Sequence, residues 1–202
     1  MKVVNFNALV KELKNEDVYM LIGNGSKNQF RNMTKVKKLL YKVLKTINKS
    51  SYFLYFGDSV EKEKPSVGYL FELISKKRPD INIVMIQISR AKSYGVPKFV
   101  KKVYWHNDFL VNNKMWGGLV KNKPVSNTKK WVSLNSSLSK GIQKIFIFGG
   151  GKITLEEFEV IKRLKIDYKY FMVERKYNKH HMKIKSDDLL SERVGETYNK
   201  IV

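Results

Sequence analysis

KIFIFGGGKITLEEFEVIKRL, from Lys144 to Leu164, changes its hydrophobic period in the middle. Isoleucine and phenylalanine alternate as far as Phe148, three glycines follow, and from Thr154 onward the pattern is that of a helix with a polar first turn. A strand that passes through glycines into a helix is half of a parallel α/β unit, so the question is whether the rest of the chain repeats it.

It does. Val18–Ile22 is a short apolar run ending in GNGS, and the following MTKVKKLLYKVLKTINKS places Val36, Leu39, Leu40, Val43, Leu44 and Ile47 on one helical face opposite lysines. SYFLYFGDS reads as a second strand with a glycine turn, and PSVGYLFELISKK as a helix with Pro65 near its first turn. INIVMIQIS is a third strand, and KYFMV follows the helix after Thr154 as another. Residues 97–131 read as irregular with one or two short strands, and SLNSSLSKG as a short helix. A last helix is expected at about 187–200, opened by Ser and Asp in capping positions. Short apolar strands alternating with amphipathic helices predict one α/β domain over residues 1–202: a doubly wound, mostly parallel sheet with helices on both faces.

Bulk composition bounds the function. The 202 residues suffice for one sizeable core without staples. The absence of cysteine removes disulfides, thiolate metal sites and cysteine nucleophiles. No apolar run approaches the about 20 residues of a membrane helix and no signal-like segment is seen, so a cytoplasmic protein without a membrane partner is expected. The formal charge of +22 attracts polyanions. Abundant Lys, Asn, Ile and Tyr together would also follow from AT-rich coding, which leaves two explanations for the charge.

Three strands end in small or polar turns: Gly23, Asn24, Gly25 and Ser26; Gly57, Asp58 and Ser59; and Gly149, Gly150 and Gly151. In a parallel sheet all three open on the edge where ligands bind. Glycine permits positive φ and close approach of backbone N–H groups to an oxygen, and a helix N-terminus near Thr154 favours phosphate. Thr154 is either a helix cap, with Glu157 at capping-box spacing, or a ligand contact. Neither G-x-x-x-x-G-K-[ST] nor G-x-G-x-x-G is present.

GGGKITLEE, Gly149–Glu157, resembles the PGGxGTxxE signature of the lonely-guy and lysine-decarboxylase-like proteins, part of the SLOG superfamily of Rossmann-like nucleotide binders. Gly150 and Gly151 fall on the paired glycines, Thr154 on the threonine and Glu157 on the final glutamate. Gly149 stands in place of the proline and Ile153 in place of the third glycine, and FGDSVEKEKPSVGYLF replaces the second strand's G-G-G-x-x-G-x-M pattern. The order of elements extends the likeness over Val18–Val173. The resemblance implies a nucleotide or other phosphorylated ligand, no cofactor, and cleavage of the N-glycosidic bond of a nucleoside monophosphate if catalysis is retained. Glu157 would then supply the carboxylate, and Arg90 in SRAK would replace the arginine that precedes the family motif. As a structural residue Glu157 would serve the helix cap alone.

Other residues fit weaker patterns. Adjacent His180 and His181 lack the spacing of a metal pair, and His106 beside Asp108 lacks a G-x-S-x-G nucleophile turn. Trp105, Trp116 and Trp131 lie among lysines and are either core or ligand-lining residues, or a stacking platform for single-stranded nucleic acid. The alternative function is therefore a basic nucleic-acid-binding protein using the α/β fold as scaffold. A homodimer is the further partnership considered.

Overall fold

The computed structural model describes residues 1–25, 29–88, 92–93, 95–106, 119–120, 123–124, 141–150, 154, 157–158, 161–162 and 164–173. Ser26, Arg90, Gly151, Asp108, Trp116, Trp131, His180 and His181 lie outside them. So do the expected C-terminal helix and, apart from Gly141, the segment expected to form a short helix before Lys144.

The elements are β1 (Lys2–Val4), α1 (Phe6–Leu13), β2 (Val18–Gly23), α2 (Met33–Leu44), β3 (Tyr52–Tyr55), α3 (Val67–Lys77), β4 (Asn82–Ile88), β5 (Lys102–His106), β6 (Leu119–Val120), β7 (Lys123–Pro124), β8 (Lys144–Phe148) and β9 (Tyr168–Phe171). Seven strands form one sheet in the order β1-β5-β4-β3-β2-β8-β9, and every neighbouring pair is parallel. β6 and β7 form a separate antiparallel pair. The doubly wound, Rossmann-like α/β fold expected from the alternation is the one observed.

Alternation along each strand sorts the core into two layers, because successive side chains point to opposite faces. Leu21, Phe53, Tyr55, Ile83, Met85, Phe146 and Phe148 pack with Val36, Leu40 and Val43 of α2 and Leu70, Phe71 and Ile74 of α3. Met20, Ile22, Leu54, Val84, Ile86, Ile145 and Ile147 pack with Leu9 and Leu13 of α1 and with Phe158 and Ile161 on the other face. Thr154, Glu157, Phe158, Ile161 and Lys162 are helical, so this segment covers the sheet between β8 and β9. At the sheet edge, Phe171 of β9 stacks on Phe148 of β8 at 4.6 Å between centroids, and the two residues are also register partners. This pairing of large rings holds the edge strand to the sheet.

Caps explain where the helices start. Asn5 Oδ1 accepts from the Ala8 N–H at 2.8 Å, and Asn32 Oδ1 from the Lys35 N–H at 3.0 Å. Pro65 lies just before the N-cap of α3, Ser66, rather than within the helix. α1 is further tied to the sheet through Glu12, which accepts from the Tyr52 hydroxyl at 3.0 Å and from the Lys102 ammonium. Burial, with Glu12 beside it, pushes the Tyr52 hydroxyl up to about 12.

The start of the chain differs from the sequence expectation. β1 and α1 precede the first strand expected at Val18. β5 is a short strand within residues 97–131, as expected there, and it pairs with β4 from Val84↔Lys102 to Ile88↔His106. Its alternation is disguised by Tyr104 and Trp105, whose large polar-tipped rings sit half-buried on opposite faces.

Candidate functional site

β2 is the strand at which the winding reverses. From it the chain runs outward through β3, β4 and β5, then returns to place β8 on the other side of β2. Connections leave adjacent strands β2 and β8 in opposite directions, which opens a crevice beyond their C-terminal ends. The turns after β2, β3 and β8 are neighbours on this edge, as the sequence pattern predicts.

Asn24 directly follows β2 at that edge and is 1% exposed. Its backbone N–H donates to Phe148 O at 3.1 Å, and its carbonyl accepts from the Val67 N–H at 2.8 Å, joining β2 to β8 and to the start of α3. Its side-chain Oδ1 accepts from the Gly150 N–H at 2.7 Å. That bond fixes the orientation of the amide, since only the oxygen can accept from an N–H. Nδ2 is buried and has no hydrogen-bond partner among the described residues. A buried amide N–H left in that state costs about 1–3 kcal/mol.

Across the crevice, Thr154 is buried and helical, and its hydroxyl donates to Gly23 O at 3.2 Å. Gly150 has φ +138°, and a Cβ there would lie 2.5 Å from the Thr154 side chain. The glycines after β8 therefore have a structural reason. They let the turn fold tightly between Asn24 and Thr154, and the Gly149 and Gly150 amides bond to Phe171 O and Asn24 Oδ1. An anion at this mouth would take its donors from other groups or displace Asn24.

The turn after β3 is held from four sides. Gly57 has φ +69°, and a Cβ there would lie 2.0 Å from the Gln87 side-chain nitrogen. Gln87, buried at the end of β4, donates through Nε2 to Phe56 O at 3.3 Å and Gly57 O at 3.4 Å. The Tyr55 hydroxyl donates to Asp58 O, and its ionisation is pushed well up by burial and then by the Asp58 charge. Ser66 makes no side-chain cap to its own helix; its hydroxyl donates to Ser59 O at 2.8 Å. The Ser59 hydroxyl in turn donates to Glu61 Oε1 at 3.2 Å. So held, the half-buried Asp58 leans over β2: both carboxylate oxygens lie 4.0 Å from where a Cβ of Gly25 would stand.

The structure thus brings together Gly23, Asn24, Gly25, Gly57, Asp58, Gly149, Gly150 and Thr154. Ser59 faces Glu61, and Glu157 is half-buried one turn beyond Thr154. Trp105 packs against the α2/α3 core layer with the Lys92 ammonium 5.8 Å from its ring centroid. Tyr55, Ser66 and Gln87, which position the site, were not anticipated from sequence; Gln87, the amide near the C-terminal end of the apolar run INIVMIQI, was the readable signal. Among the described residues no group of three or more His, Asp or Glu side chains is placed to hold a metal ion, and no helix is long and apolar enough to cross a membrane. No protein-family model and no curated protein matches this chain.

Proposed function

We propose that the chain binds a nucleotide or nucleotide-derived phosphorylated ligand in the crevice between β2 and β8. The observation that carries this is the meeting of three strand-to-helix turns at the switch point of a parallel sheet, around a buried amide whose N–H donors have no partner among the described residues. We place the phosphate on the side of Thr154, which is helical and follows the glycine turn after β8, because a helix N-terminus expected there from the sequence favours negative charge. It does not belong beside Asp58, whose carboxylate would repel it. The resemblance of Gly149–Glu157 to the SLOG signature agrees with this placement and makes Glu157 the residue to examine for N-glycosidic cleavage.

A thermal-shift screen with nucleoside mono-, di- and cyclic phosphates tests binding, since a ligand at a hundredfold excess over its Kd stabilises the native state by about 2.7 kcal/mol. No shift with any of them would remove the proposal. Release of free base from a bound monophosphate, lost in Glu157→Gln while binding is kept, would establish the hydrolase activity.

A second function is supported by α2. Lys35, Lys38 and Lys42 lie exposed at helical spacing, Lys45 follows at the C-cap, and the helix contains no acidic residue. This face suits the backbone of a nucleic acid, and its binding would be independent of the crevice.

A further inference from the structure

We infer that the outer face of α2, extended by Lys77 of α3, docks on the phosphate backbone of duplex DNA; this depends on the nucleic-acid function proposed above for α2 and names its partner and footprint. Lys35, Lys38, Lys42 and Lys45 recur three and four residues apart, which places them in one stripe on a helical surface. All four are exposed, and α2 contains no acidic residue to neutralise them. The opposite side of the helix is committed to the core through Val36, Leu40, Val43 and Leu44, so the stripe faces away from the sheet.

α3 widens the stripe. The Lys77 ammonium lies 5.7 Å from the centroid of the Tyr41 ring. On α2, Tyr41 follows Lys38 by three residues and precedes Lys45 by four, so it lies beside both. Lys77 is exposed and thus adds a fifth cation next to this pair. Arg78 fixes the two helices to each other at this end, because its guanidinium donates to Leu44 O at 2.7 Å and to Ile47 O at 3.2 Å. The neighbouring Lys76 does not belong to the surface, since Glu72 pairs with it.

Charge complementarity calls for a polyanion, and the rest of the face narrows the choice. Lysines seven residues apart, Lys35 with Lys42 and Lys38 with Lys45, are about 10.5 Å apart along the helix axis. That is close to three phosphate steps of one B-DNA strand, at about 3.4 Å each. Single strands are held by bases stacking on exposed rings. The ring on this face, Tyr41, is half-buried and has Lys77 over it. A membrane surface takes an amphipathic helix by its apolar side, and that side of α2 lies inside the core. Duplex RNA is recognised through its 2′-hydroxyls as well as its phosphates, whereas a row of ammonium groups offers donors without acceptors. Lysine meets phosphate as a point charge, so the surface reads no base sequence.

The test is fluorescence anisotropy of the full chain with a short labelled duplex DNA, with one of its strands alone and with duplex RNA of equal length, from about 50 to 200 mM salt. Sedimentation with phosphatidylserine vesicles runs alongside. Duplex DNA should bind on the order of tenfold tighter than the single strand at equal salt, because its charge density along the axis is about twice as high. Lys77→Ala should flatten the log-log salt slope on duplex DNA by about 0.9, the share of one phosphate. Lys11→Ala, an exposed lysine of α1 on the other side of the sheet, should leave that slope unchanged. Single-stranded DNA or duplex RNA bound as tightly as duplex DNA overturns the partner and leaves the nucleic-acid function of α2 standing. A slope that Lys77→Ala leaves unchanged, or that Lys11→Ala flattens as much, overturns the two-helix surface. Vesicle binding that Lys77→Ala abolishes, with duplex affinity unaltered, overturns it in favour of an anionic membrane. A duplex slope that survives loss of Lys38, Lys42 and Lys45 together overturns both the surface and the function assigned to α2.

Discussion

The Gly150 N–H and the Asn24 side-chain oxygen meet at 2.7 Å although 126 residues separate them in the chain. The bond closes the turn after β8 against the turn after β2, and with Thr154 Oγ1 on Gly23 O it forms a clasp across the switch point. Asn24→Ala should therefore destabilise the protein by about 1–3 kcal/mol, the cost of leaving the buried Gly150 N–H without an acceptor. Urea unfolding measures this. A native-like midpoint would mean that the clasp contributes nothing to stability.

Two glycines beside Asn24, Gly150 and Gly25, should respond oppositely to alanine. At Gly150 a Cβ meets Thr154 at 2.5 Å with φ at +138°, so Gly150→Ala should cost on the order of 1–3 kcal/mol or more. At Gly25 the nearest atoms among the described residues are the Asp58 oxygens at 4.0 Å, so Gly25→Ala should keep the native Tm. The added methyl group would instead narrow the turn after β2 and weaken the nucleotide binding proposed for this edge. Thermal melts with and without the bound nucleotide separate the two effects.

Much of this was legible because parallel strands covered on both faces leave an unmistakable apolar run. Val18–Ile22 and Lys144–Phe148 could be placed from composition alone, and their glycine ends pointed to one edge of the sheet. β1 and α1 are harder to read, since β1 is a three-residue edge strand whose Lys2 and Val3 are exposed. The clasp could not be read at all. Nothing in the local sequence of Asn24 distinguishes a turn asparagine from one whose side chain reaches Gly150, because that contact depends on which strand lies next to β2. Likewise Asp58 reads as an ordinary turn residue until Tyr55, Gln87 and Ser66 are seen to hold its backbone over β2.

Away from the site, Arg78 caps the end of α2 from the end of α3. Its guanidinium donates to Leu44 O at 2.7 Å, Ile47 O at 3.2 Å and Asn48 O at 3.3 Å, while Asp80 accepts from it in bidentate fashion at 2.8 and 2.6 Å. The Arg78 hydrogen bond holds the Asp80 carboxyl down at about 2. A carboxyl depressed in the folded state stabilises above its unfolded pKa, and that contribution is lost as pH falls through its folded value. Native stability should therefore decline from about pH 4 to about pH 2, and Asp80→Asn should flatten that part of the profile. Arg78→Lys should not restore what Arg78→Ala removes, because an ammonium cannot span three carbonyls and a carboxylate at once. Urea midpoints across that pH range check both statements.

Salt separates the crevice from the α2 lysines. With a formal charge of +22 the protein should bind DNA and RNA at low ionic strength, and that observation alone identifies no site. Contacts made through phosphate weaken with a log-log slope of about −0.9 per neutralised phosphate on duplex DNA. Changing Lys38, Lys42 and Lys45 to Ala should therefore flatten the slope by about 2.7 if each of these exposed side chains meets one phosphate. The same triple variant should leave nucleotide affinity unchanged, since exposed lysines act on a buried site only through screened, long-range charge. Fluorescence anisotropy with a labelled duplex, from about 50 to 200 mM salt, supplies the slope, within the range where such contacts lose most of their affinity. An unchanged slope would place the polyanion elsewhere on the surface. A parallel loss of nucleotide binding would mean that the α2 face and the crevice act as one site.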